Sequence, residues 1–302
     1  RGRNYATGQT GAPLDFVGFH AKGRPQVVDG HVRMGSSKHA QDVSRGLEIV
    51  ASFPELRNKP IILGETDPEG CAACPASVFP QNAYRNGTLY SSYTAAILNV
   101  TYALADRHQS NLTGAVTWAF EFENQPYFAG FRSLATNGID KPVLNVFRML
   151  GLMAGDRLQA ESSAAAPLDT FLRSGVPGEP DVNALATRRR DREISILVWN
   201  YHDDELPAPP ADIQLQIENL PASAARLLLR HYRIDEHHSN AYTVWKQLGS
   251  PQRPTAEQYA QLESAGQLQL LGSPSWRRAE EGRLHLRFSL PRHAVSLVQV
   301  SW

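Results

Sequence analysis

Three times within the first 155 residues a short apolar run is followed by a stretch with helical spacing. That alternation narrows the possible folds more than any other feature. "LDFVGFHAKG" (14–23) has a β-rich apolar core from Phe16 to Phe19 and ends in polar residues. Behind it, "SKHAQDVSRGLEIVASF" repeats Val43, Leu47 and Val50 at a helical period. "KPIILGE" (59–65) is the next apolar run. The segment after it sets Tyr90, Tyr93, Ile97, Thr101 and Leu104 on one helical face. "GAVTWAFEF" (114–122) reads as a third strand, and "KPVLNVFRMLGLM" as an apolar helix with Pro142 in its first turn. Strands of this kind, each followed by a helix, predict a parallel sheet covered by helices.

The period changes after about Gly155. "ESSAAAP" is a small, polar linker, and short β-like segments follow it: "EISILVWNY", "DIQLQIENL", "ARLLLRHYRI", "RLHLRFSL" and "AVSLVQVSW". Leu284, Leu286 and Phe288 alternate cleanly; Val295, Leu297 and Val300 alternate with one irregularity. This pattern predicts an antiparallel β-sandwich. The expected division is therefore α/β over residues 1–155 and all-β over residues 156–302. The run Arg188 to Arg190 reads as a solvated turn, and "HHSNAYTVW" as a loop packing the two parts together.

Lys plus Arg equals Asp plus Glu, 30 against 30. This balance gives no footing for nucleic acid or an anionic membrane as partner. No apolar run is long enough to cross a bilayer. The two cysteines, Cys71 and Cys74, lack the second pair that a zinc site needs and the βα context of a thioredoxin-type motif. They read as structural, with a local disulfide open. Neither a metal nor another cofactor is implied. The opening "RGRNYATGQTG" looks like mid-chain loop, so the chain is expected to be a piece of a longer protein.

Each strand of the first half ends in side chains suited to chemistry, at the end where parallel α/β folds carry it. The first delivers His20 and Lys22, the second Glu65, Thr66 and Asp67, the third Trp118, Glu121 and Glu123. Carboxylates beside an indole suggest a sugar site. Paired carboxyl groups cleave glycosidic bonds, and an aromatic face receives the C–H side of a sugar ring. Asp67 and Glu69 are assigned to shaping the loop before Cys71. A non-enzymatic alternative is a carbohydrate-binding or assembly module using Tyr232, Tyr242 and Trp245.

With those residues in place, the chain resembles the carboxyl-terminal portion of glycoside hydrolase family 39. That family comprises bacterial β-xylosidases and lysosomal α-L-iduronidase. "LDFVGFHAKG", "FPELRNKPIILGETDP", "FRSLATNGIDKPVLNVFRMLG" and "HYRIDEHHSNAYTVWKQLGSPQRPTAEQY" occur in the family's order. The resemblance implies about the last three β/α units of a (β/α)8 TIM barrel followed by an antiparallel β-sandwich. It implies a retaining glycosidase, β-xylosidase-like first and iduronidase-like second, acting on a xylo-oligosaccharide or xyloside. Glu65 of "GETDP" matches the nucleophile. His20, Lys22, Trp118 and Glu123 match substrate-contacting positions. The acid/base glutamate of the family has no counterpart here, and its half of the barrel is expected to be missing. Turnover by this chain alone is therefore expected to be slow or absent. A bacterial cytoplasmic or periplasmic setting is expected; the oligomeric state is left open.

Overall fold

The computed structural model describes residues 2–117, 122, 124–189 and 192–302. The order begins with β1 (Val17–Lys22), a hairpin of β2 (Gln26–Val28) and β3 (His31–Arg33), α1 (Ser36–Ala51) and β4 (Ile61–Asp67). It continues through α2 (Thr88–Arg107), β5 (Leu112–Ala115), a hairpin of β6 (Ala135–Thr136) and β7 (Ile139–Asp140), and α3 (Pro142–Leu152). Then come β8 (Asp156–Leu158), α4 (Leu168–Ser174), β9 (Asp181–Arg189), β10 (Glu193–Tyr201), β11 (Ala211–Ile217) and β12 (Arg226–Ile234). The chain closes with α5 (Ala241–Gln247), α6 (Ala256–Gly266), β13 (Gln269–Leu270), β14 (Ser275–Arg278), β15 (Leu284–Leu290) and β16 (Val295–Ser301).

Among the described residues, β1, β4 and β5 form a parallel sheet with β4 in the middle. The predicted helical faces are the buried ones. Val43, Leu47 and Val50 of α1 are buried, and so are Tyr90, Tyr93, Ile97, Thr101 and Leu104 of α2. Gly46 lets α1 close on the sheet, because a Cβ there would meet the Phe19 ring. The third strand begins two residues before the predicted run. Its ladder runs over Leu112–Ala115, and Val116 still exchanges backbone hydrogen bonds with Leu63 and Thr66. The rest of the predicted run, residues 118–121, lies outside the described residues.

The second half holds an antiparallel sheet ordered β13, β12, β16, β10, β9, β8, with β14 also on β12. A two-stranded ribbon of β11 and β15 packs on it. Strand β16 is buried along almost its whole length, which explains the irregular alternation. Val295 and Leu297 face one core and Val298 and Val300 the other. Strand β10 divides likewise. Ile194, Ile196 and Val198 meet the ribbon, and Leu197, Trp199 and Tyr201 join the core that contains α1 and α2.

The core therefore runs on past residue 155. Polar contacts also join the two parts: Arg33 on β3 pairs with Asp204, its Nη2 donating to Oδ2 at 2.8 Å. Met34 N–H donates to the Asp203 carbonyl at 2.9 Å. The "HHSNAYTVW" loop is corrected in part. It contains α5, capped by the Asn240 side chain accepting from Thr243 N–H. Tyr242 and Trp245 pack against Phe128, and Tyr232 packs into the core shared with α2. Their rings are thus used in packing. The solvated turn expected at Arg188 to Arg190 is corrected in part: Arg188 and Arg189 are exposed but belong to β9, and Arg190 lies outside the described residues.

Candidate active site

The carboxyl end of β4 gathers the charged groups. β1 and β4 run parallel with Phe19 beside Leu63, and an irregularity then shifts the register so that His20 lies beside Glu65 and Lys22 beside Asp67. Side chains alternate across a strand, so the shift decides which groups share the sheet's open face. Gly64 makes room for the shift, since a Cβ there would lie 3.2 Å from His20 Nε2.

Glu65 is 14% exposed, and its Oε2 lies 2.5 Å from Lys22 Nζ. Its Oε1 lies 3.6 Å from Nδ1 of His20, which is 59% exposed. Lys22 also donates to Asp67 Oδ2 at 2.7 Å, so one ammonium bridges both acids. Arg132 completes the cluster from behind. Its side chain is 1% exposed, with Nη1 3.3 Å from Asp67 and Nη2 3.7 Å from Glu65. Two cations thus face two carboxylates in a largely buried setting, where Coulomb attraction is strong and an unpaired charge is costly.

Beneath Glu65, the next residue is anchored to a helix. The Thr66 hydroxyl meets His39 Nε2 at 2.8 Å, and His39 Nδ1 meets the Tyr93 hydroxyl at 2.7 Å. His39 is fully buried. Burial first, then the nearby Lys22 and Lys38 cations, push it down to about 3, so the imidazole is neutral. This network ties β4 to α1 and α2 next to Glu65.

The structure thus brings Glu65, His20 and Lys22 together. Trp118, Glu121 and Glu123 lie outside the described residues. The assignment of Asp67 is corrected. Its side chain is fully buried and accepts from Lys22 and from the Thr117 hydroxyl, so it belongs to the charged cluster. Glu69 does shape the loop, accepting from Cys71 N–H at 2.6 Å and Arg85 Nη2 at 2.5 Å. No motif or spacing in the sequence marks Arg132 or His39 as part of this site. Arg132 sits within "FRSLATNG", where an arginine among apolar and small residues was the available signal. Among the described residues no group of His, Cys, Asp and Glu side chains is arranged to hold a metal ion. No helix there is long and apolar enough to cross a membrane.

The family model for Glycosyl hydrolases family 39 matches residues 3–280. The chain is 25% identical over 224 residues to a beta-xylosidase of Geobacillus stearothermophilus, covering 74% of this chain and 39% of that protein. It is 26% identical over 321 residues to the alpha-L-iduronidase of Mus musculus, covering 99% of this chain and 47% of that one. Two solved structures resemble it in fold. The bacterial orthologue of human alpha-L-iduronidase matches with a TM-score of 0.80 at 19% identity, over 98% of this chain and 50% of that one. A monomeric beta-xylosidase from Caulobacter crescentus matches with a TM-score of 0.69 at 16% identity, over 96% of this chain and 56% of that one. The chain thus spans about half the length, or less, of these curated relatives.

Proposed function

The chain belongs to glycosyl hydrolase family 39, and from that membership we propose that it is the carboxyl-terminal portion of a retaining, β-xylosidase-like glycosidase. Such an enzyme releases xylose from the non-reducing ends of xylo-oligosaccharides. On this reading residues 1–155 are about the last three β/α units of a (β/α)8 barrel, and residues 156–302 form an accessory β-sandwich. The parallel order β1, β4, β5 with its covering helices supports the first assignment, and the ribbon packed on the long sheet supports the second.

The observation that carries the reading is Glu65, a partly buried carboxylate at the carboxyl end of a central parallel strand, held by Lys22 at 2.5 Å. One of its oxygens attacks the anomeric carbon. The bond to the aglycone breaks with its electron pair passing to the leaving oxygen, and a glycosyl ester forms. Water then attacks the same carbon and returns the carboxylate. Lys22, by bridging Glu65 to Asp67, fixes the direction in which the attacking oxygen points. His20 and Lys22 contact sugar hydroxyls, Trp118 supplies the apolar platform and Glu123 a further polar contact. The acid that protonates the leaving oxygen comes from a part of the parent enzyme outside these 302 residues, a reading that the half-length span supports.

The test is Glu65→Gln in the parent enzyme. Turnover of an aryl β-xyloside is expected to fall about 10⁴-fold or more, the order seen when a covalent nucleophile is lost. An activated fluoro-xyloside is expected to label Glu65 in the wild type, read by peptide mass. Label on another carboxylate would sink the assignment. A second reading, an iduronidase-like or other exo-glycosidase, is favoured by the pairing of Lys22 and Arg132 at one site, since two cations suit a uronate carboxylate. Comparing an aryl β-xyloside with an aryl α-L-iduronide separates the two.

A further inference from the structure

Cys71 and Cys74, in the loop after β4, are joined in a disulfide. The chemistry proposed above makes no use of a disulfide, yet this one closes a ring around the carbonyl that holds Arg132. The Ala72 carbonyl, between the two cysteines, accepts from Arg132 N–H at 3.0 Å. The Glu69 carbonyl accepts from Arg132 Nη1. On either side the ring is pinned to the body of the protein. Arg85 Nη2 donates to the Cys71 carbonyl at 2.9 Å, and Asn82 Nδ2 to the Cys74 carbonyl at 2.9 Å. Just beyond, Ala76 N–H donates to the Ala129 carbonyl at 2.8 Å. Loop and segment 129–132 are thus laced together by backbone bonds, and Arg132 extends from that lacing to Asp67 and Glu65. Cys71 is exposed and Cys74 half-buried, so a small reductant can reach the bond.

We propose that the Cys71–Cys74 disulfide is a positioning element for Arg132, and that its reduction by a dithiol loosens Arg132 from Glu65 and Asp67 and makes the site redox-sensitive. The functional half of this inference rests on the glycosidase reading above. In the reduction, a thiolate of the dithiol attacks one cysteine sulfur, the S–S bond breaks and a mixed disulfide forms. The second thiol of the reductant then displaces the remaining cysteine. Two electrons and two protons pass to the cysteines, and the reductant leaves as its own disulfide. With the bond gone, the four-residue ring regains backbone freedom and the Ala72 carbonyl is no longer held toward Arg132. A purely stabilising role predicts something else. A ring this short removes less entropy from the unfolded chain than a long loop does, so its loss acts on the loop far more than on the whole fold.

The experiment reduces the chain with dithiothreitol, counts thiols by alkylation and mass, and follows amide exchange. Two thiols are expected. Exchange of the Arg132 amide should rise about tenfold, as when roughly one hydrogen bond's net stabilisation is lost. Amides of β10 and β16 should keep their protection, and reoxidation should restore the original pattern. In the parent enzyme, reduction is expected to lower kcat for an aryl glycoside about tenfold with a smaller change in KM, the signature of lost positioning of Glu65. A C71A/C74A variant should resemble the reduced enzyme and ignore dithiothreitol. Unchanged Arg132 exchange in the fully reduced chain overturns the inference, as does a parent enzyme whose kcat is indifferent to reduction. If exchange responds but the parent hydrolyses no glycoside, the glycosidase reading fails and the link from disulfide to Arg132 stands.

Discussion

Asp67 can be fully buried because Lys22, Arg132 and Thr117 all reach its carboxylate. A buried acid without such partners would cost several kcal/mol. The same logic governs His39, which is stable in its buried site only as the neutral ring. Its folded value of about 3 lies below the usual 6.5. As pH falls below 6.5 the unfolded chain therefore binds the proton first. The stabilisation is complete above 6.5 and is lost as pH falls toward 3, at roughly 1.4 kcal/mol for each pH unit traversed. His293, also buried and pushed down to about 3, works in the same window. Lys141, pushed down to about 7 by burial, acts in the same direction between its usual value and 7. Urea unfolding of the wild type and His39→Gln between pH 8 and 4 is the check. The wild type should lose stability more steeply below pH 6.5; equal slopes would remove His39 from the account.

At the scale of elements, the passage from α3 to β8 depends on Gly155. Its φ is +90°, and a Cβ there would lie 2.0 Å from the Arg188 carbonyl oxygen. Only glycine lets β8 turn back and pair antiparallel with β9, with Asp156 opposite Arg188. Gly155→Ala is expected to cost roughly 3 kcal/mol or more, from left-handed backbone strain plus a collision with main chain that cannot move aside. Gly151, near the end of the preceding helix, has open space where a Cβ would go. Gly151→Ala should stabilise by up to about 1 kcal/mol through helix propensity. Thermal melts of the two variants should move in opposite directions, and a Gly155→Ala protein as stable as the wild type would refute the reading of this turn.

For the molecule as a whole, α2 matters most. It packs on the face of the long antiparallel sheet that carries Leu197, Trp199, Val295 and Leu297, and its apolar residues share that core with Ile61 and Leu63 of the parallel sheet. Tyr93 meets Tyr201 edge-on, and Trp199 Nε1 donates to buried Asp181 at 2.7 Å. With one core shared across residue 155, the two halves should unfold together. Calorimetry is expected to give a single transition, and residues 1–155 expressed alone should fail to fold because they would expose α2's apolar face. Two separable transitions, or a well-folded 1–155 fragment, would show the core to be divisible.

The sequence by itself determined the order and kind of the main elements, because periods of 3.6 and 2 are local. Val43, Leu47 and Val50, and Leu284, Leu286 and Phe288, turned inward as their spacing required. It also put His20, Lys22 and Glu65 at strand ends, since a polar residue closing an apolar run is visible without the fold. Short or two-sided features were not legible this way. α5 is seven residues long, and β16 is buried on both faces, so neither carries a clean period. Only the tertiary structure decided that His20 lies beside Glu65, through a register shift next to Gly64. Only it could bring in Arg132, 67 positions after Glu65 in the chain, and draw Asp67 away from the loop. Charges pair across space when burial makes solitude costly, and that cost depends on neighbours that a linear sequence does not contain.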